Sequence, residues 1–232
     1  MDGGTGASED VSLQSTEDTI ETGVSNMENV HTNVKTSFSP EVSEPEVAPT
    51  AYVHPLAAVI GAVHIGERVM VSPAASVRGD EGQTLWVGDE SNVQDGVILH
   101  ALETWSDGEP VEGNLVTVDG EKYAIYVGDR VSLAHQVHVH GPASVGDDTF
   151  VGMQSMVFKS EVGAGCVIEP KSLVMGVTIA DGRYVPAGSV IKAQEDADAL
   201  PEVTDDYAFK NLNEGVVHVN VHLADAYNAG DS

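Results

Sequence analysis

VGDRVSLAHQVHVHGPASVGDDTFVGMQSMV (127–157) carries an aliphatic residue at every sixth place: Val127, Leu133, Val139, Val145, Val151 and Val157. A period of six fits neither an α-helix nor an antiparallel sandwich. It fits a parallel β-helix, in which each hexad forms one flat side of a triangular coil and the aliphatic residue points inward. Three hexads close a coil of about eighteen residues, and successive coils stack about 4.8 Å apart. The period alone leaves the hand of the coil open; left-handed coils are the usual form among known hexapeptide proteins.

The same period extends in both directions. Upstream it runs through Val59, Ile65, Val71 and Val77, then Val87, Val93 and Leu99. Downstream, after single-residue deletions, it continues through Val162, Ile168, Val174, Ile179, Val185 and Ile191. Small residues such as Ala75, Ala143 and Ser155 recur four places after the aliphatic ones. The expected architecture is therefore all-β, a left-handed parallel β-helix over 50–193 interrupted by an acidic loop at 102–122. Residues 194–232 are expected to be helical, with a turn near Asp196–Leu200. A helix capped by Thr204 should then place Phe209, Leu212, Val216, Val219, Leu223 and Tyr227 against the coil. Residues 1–49 are rich in Ser, Thr, Glu and Gly and are expected to be flexible, because they bury too little apolar surface to offset ordering.

Thirty-seven acidic residues oppose ten basic ones, a formal net charge of −27. The first fifty residues contribute −9, leaving −18 for the remainder, so the acidity is distributed along the chain. Such a field repels phosphate and argues against a nucleic-acid partner. It fits a surface adapted to high salt, or an ordinary acidic protein; scarce lysine favours the first. Cys166 is the only cysteine, which excludes an intrachain disulfide and a cysteine-based zinc cluster. No run of eighteen apolar residues and no basic-then-apolar leader pattern is present, so the expectation is a soluble, cytoplasmic protein without a membrane partner.

Position in the repeat sorts the nine histidines. With Val71 on side one, Val77 and Leu99 fall on side two of successive coils, Val127 opens side three, and Leu133 and Val139 return to sides one and two. Arg78, His100 and His140 each follow an inward residue of side two and form one outward column. Imidazoles one rung apart can share a metal whose bonds to nitrogen are about 2.0–2.1 Å. His135 lies instead on side one, in column with Asp95. It cannot close that site within one chain, but a neighbour rotated about a threefold axis could supply it, which predicts a homotrimer with interfacial sites. His31, His54 and His64 are expected to be solvated or packing residues, and His138, His218 and His222 are unassigned.

At these residues the chain resembles the γ-class carbonic anhydrases, of the archaeal prototype type. The resemblance rests on VMVSPAASVRGDEG (69–82), VGDESNVQDGVILHALET (87–104), the 131–154 stretch and VTDDYAF (203–209), and runs from about Thr50 to Tyr227. It implies that His100 and His140 of one subunit and His135 of the next bind Zn2+, or Fe2+ or Co2+, which imidazole also suits. It implies an ionic contact between subunits through Arg78 and Asp80. Asn92 and Gln94 would hydrogen-bond the metal's water and the substrate, with Asp95 orienting them. Glu81 would be the carboxylate beside the metal, Glu103 on the acidic loop the proton shuttle, and Asn220 in HVNVHL (218–223) a helix residue reaching the site. The implied reaction is reversible hydration of CO2 to bicarbonate and a proton by metal-activated hydroxide. The alternatives are a non-catalytic structural relative and a hexapeptide acyltransferase. The second would need a basic coenzyme A site, which ten basic residues do not make obvious.

Overall fold

The computed structural model describes Met1 and residues 29–230. Their strands form three parallel sheets that are the three sides of a coil. Side two has eight strands: Val30–His31, Ala58–Gly61, Ser76–Gly79, Ile98–His100, His138–His140, Met156–Phe158, Leu173–Met175 and Val190–Ile191. Side three has seven, from Glu46–Val47 through Leu85–Val87 and Ile125–Val127 to Thr178–Ile179. Side one also has seven, from Tyr52–Val53 through Asn92–Val93 and Ser132–Leu133 to Tyr184–Val185. The chain is a left-handed parallel β-helix: the period predicts the coil, and its hand is the usual one of hexapeptide proteins.

The hexad residue is inward throughout. Val59, Ile65, Val71, Val77, Leu99, Leu133, Val139 and Val157 are fully buried in one continuous core. Stacking is in register, with Val77 beside Leu99, Leu99 beside Val139, and Val139 beside Val157. Burying aliphatic side chains of this size contributes about 1.5–3 kcal/mol each. The recurrent Val-Gly-Asp also has a steric cause. Asp129 Oδ1 accepts the Asp89 amide at 2.9 Å and Asp147 Oδ1 accepts the Asp129 amide at 2.9 Å, tying each coil to the next. A methyl group on Gly88 or Gly128 would collide with the carboxylate above it.

Three expectations change at the ends. The coil begins at Val30, not at residue 50: Val30 pairs with Val59 and Val47 with Ile65, so Val30–His31 and Glu46–Val47 already belong to its sheets. The rest of the expected flexible segment, residues 2–28, lies outside the described residues. The long helix, α2 (Leu212–Ala229), starts eight residues after Thr204; a short α1 spans Gln194–Asp198. Residues 204–211 are turns instead, because Tyr207 stacks on Tyr184 at 4.2 Å and donates to Glu169 Oε1 at 2.8 Å. Finally, α2 packs on side one through Asn213, Val217, Asn220, Val221 and Ala224. Leu212, Val219 and Leu223, expected to face the coil, are 37%, 54% and 40% exposed.

The acidic insertion is two antiparallel hairpins, Trp105–Ser106 with Glu109–Pro110 and Val116–Val118 with Glu121–Tyr123. It leaves side two after His100 and re-enters on side three at Ile125.

Candidate metal centre

Parallel pairing on side two sets Arg78, His100 and His140 on three successive rungs. The imidazole centroids of His100 and His140 are 5.5 Å apart, with the rings nearly perpendicular at 86°. His140 Nδ1 lies 3.1 Å from the Gly141 carbonyl, and a carbonyl can only accept, so this nitrogen holds the proton and Nε2 keeps the lone pair.

Two carboxylates converge on His100 from the turn after Arg78. Glu81 Oε1 stands 3.0 Å and Asp80 Oδ1 3.6 Å from His100 Nε2. His100 Nε2 and Asp80 Oδ1 are buried and have no hydrogen bond among the described residues. One donor atom from each of Asp80, Glu81 and His100 lies within 4.8 Å of the others, a set that fits a divalent cation. Burial, and then the Arg78 charge, push the His100 pKa down, which keeps the imidazole neutral and able to ligate. Burial, and then repulsion from Asp80, push the Glu81 carboxyl up; Glu103 adds to that rise. Glu81 is therefore poised to hold a proton more readily than a free carboxylate.

The remaining predicted residues separate into two groups. Arg78 donates from Nε at 3.1 Å and Nη2 at 2.9 Å to Asp80 of its own chain. Within one chain, then, the two residues expected at the subunit contact pair with each other, the turn after Gly79 bringing Asp80 beside the guanidinium. Glu103 is exposed on the acidic loop, its carbonyl accepting from Asn114 Nδ2 at 2.7 Å.

His135, Gln94 and Asn92 belong to side one. His135 has 58% of its side chain exposed and Nδ1 3.0 Å from Asp95 Oδ2. Gln94 Nε2 donates to Asn92 Oδ1 at 2.9 Å, and Asn92 Nδ2 to Ser132 Oγ at 2.9 Å, all three residues buried. Asp95 thus holds His135 and makes no hydrogen bond to Asn92 or Gln94, contrary to expectation; Ser132 on the next rung takes that role. Gln94 and His135 line a cleft of about 450 Å3 whose other walls include Phe150, Met153, Phe209 and Val216. Asn220 is buried one helical turn beyond Val216 and donates to that residue's carbonyl at 2.9 Å, so within one chain it meets its own helix.

Two contributors escaped the sequence reading. Thr104 is fully buried; its amide donates to the Glu81 carbonyl at 2.9 Å and its hydroxyl accepts the Gln83 amide at 2.7 Å. It clamps the turn that presents Asp80 and Glu81, and no pattern of residue types announces it. Residues 31–38 also reach the site, where His31, Thr32 and Phe38 share a cleft of about 270 Å3 with Arg78, Asp80 and Glu81. His138, left unassigned, stands 5.6 Å from His140 on the same strand, its pKa lowered chiefly by burial.

No family model matches the chain. It is 62% identical over 205 residues to a carbonic anhydrase of Methanosarcina thermophila, covering 88% of this chain and 83% of that protein. It is 41% identical over 168 residues to the carboxysome assembly protein CcmM of a Nostoc species, covering 72% of this chain but 29% of that longer protein. Among solved structures, a putative acetyltransferase of Bacillus cereus superposes with a TM-score of 0.62 at 21% identity, covering 87% of this chain and 98% of that one. That likeness concerns the fold.

Proposed function

The chain belongs to the γ-class carbonic anhydrases, and we propose that it catalyses reversible hydration of CO2 at metal sites assembled between the subunits of a homotrimer. The observation that carries this reading is the division of the ligands between two faces. His100 and His140 stand one rung apart on side two, while His135 is presented from side one with its Nδ1 occupied by Asp95. His135 of the partner subunit completes the set.

Zn2+ is the cation we assign, with Fe2+ and Co2+ suited to the same three imidazoles. When bound, the cation supplies Lewis-acid activation of water for attack on CO2. The chain's own residues do the rest. Gln94, steadied through Asn92 by Ser132, offers an amide for orienting substrate beside His135. Glu81, with its raised pKa, takes a proton at its carboxylate, and exposed Glu103 passes it to solvent. The exposed row Leu212, Val219 and Leu223 on α2 supports an apolar contact between copies.

Complementation tests the shared site. His100→Ala and His135→Ala homotrimers should each be inactive and depleted in metal. Co-refolded mixtures should recover activity, because about one interface in four then combines intact side-two and side-one ligands. Full metal content in the His135→Ala protein, or no recovery on mixing, would refute the interfacial assignment.

A further inference from the structure

A second pair of histidines stands outside the proposed ligand set. His218 and His222 lie one turn apart on α2, both exposed and both on the side away from the coil, since the packed face is Asn213, Val217, Asn220, Val221 and Ala224. Their ring centroids are 4.2 Å apart and the planes tilted by 49°. Helical side chains lean toward the N-terminus, which lays the His222 ring back over the preceding turn. There His222 Nδ1 meets the His218 carbonyl at 2.7 Å. The carbonyl can only accept, so Nδ1 carries the proton and Nε2 is left as a lone-pair donor. A backbone carbonyl fixing the tautomer in this way is the usual support of a metal-binding histidine.

We propose that His218 and His222 chelate a late first-row divalent cation, of the Zn2+, Ni2+ or Cu2+ class, on the outer face of α2. Two nitrogens bonded to one ion at about 2.0–2.1 Å lie at most about 4.2 Å apart, a span the spacing of these rings allows. Glu214 is exposed one turn before His218 on the same row and adds negative charge near the pair. Imidazole donors select these metals over Mg2+ and Ca2+, which prefer oxygen. The net charge of −27 raises the local cation concentration. The row sits about a third of a turn round the helix from Leu212, Val219 and Leu223, so an apolar contact along those residues leaves it open.

Ni2+ titration of metal-stripped full-length protein tests this, read by equilibrium dialysis. The native chain should take up one Ni2+ on α2. His218→Ala and His222→Ala should each weaken that ion about 10-fold or more, because removing either arm destroys the chelate. His31→Ala, which removes a single exposed histidine, should leave it bound. The α2 ion should persist in His135→Ala, so failure of the interfacial assignment leaves a different signature. Circular dichroism of the two α2 variants confirms an intact fold. Ni2+ uptake unchanged in both variants would overturn the proposal, as would a loss no greater than that from His31→Ala.

Discussion

Asp95 Oδ2 stands 3.0 Å from Nδ1 of His135, one coil away in the same outward column of side one. The carboxylate can only accept, so it fixes the proton on Nδ1 and leaves Nε2 as the lone-pair nitrogen for the proposed metal. Parallel in-register stacking creates this pair: forty residues of chain separate the partners, and the acidic insertion lies between them.

Asp95→Ala should therefore lower metal affinity by about 10–100-fold while leaving the coil folded, since both side chains are exposed. Asp95→Asn, which keeps an acceptor oxygen, should lose less. Metal content after dialysis against a graded chelator reads the difference. Equal affinity in Asp95→Ala and the native protein would remove Asp95 from the site.

Thr104 is a positioning residue for Glu81. Thr104→Val leaves the Gln83 amide without its buried acceptor, which should cost about 1–3 kcal/mol in urea unfolding. It should also displace the pH profile of CO2 hydration, because the turn carrying Glu81 is freed. Thr104→Ser restores the hydroxyl and should restore the profile; a profile unmoved in the valine variant would show that Glu81 is held some other way.

Tyr207 makes stability fall at alkaline pH. Burial first, and then its hydrogen bond to Glu169, push the phenol pKa well above the ordinary range. The folded state then holds this proton after the unfolded chain has released it. The stability linked to it is complete below about pH 10 and is lost as pH rises through the folded value. Tyr207→Phe should cost about 1–2 kcal/mol near neutrality and flatten the decline above about pH 10. Unfolding free energies at the two pH values check both effects, and parallel declines in the two proteins would contradict the assignment.

The net charge of −27 predicts that stability rises with ionic strength. The screening length falls from about 10 Å at 0.1 M salt to about 3 Å at 1 M, which weakens self-repulsion among distributed carboxylates. Tm should climb by several degrees across that range. A flat or falling Tm would argue against a salt-adapted surface.

The hexad was legible because inward burial repeats every six residues whatever occupies the outward places. It placed His100 with His140 and Asp95 with His135, since a strict period converts sequence distance into rung and side. The start of the coil was not legible. Residues 29–49 carry too few aliphatic hexads to declare themselves, and Val30 and Val47 join the sheets through pairing with Val59 and Ile65.

Sequence by itself determined the coil, the columns on its faces and the division of three histidines between two sides, because these follow from a period and the spacing of stacked strands. Only the tertiary structure decided how the site is held: Thr104 on the Glu81 turn, Ser132 beneath Asn92, residues 31–38 beside Arg78, and α2 with its apolar row turned outward. Those contacts join loops and ends of different elements, where no period constrains the partner and hydrogen-bond geometry and packing make the choice.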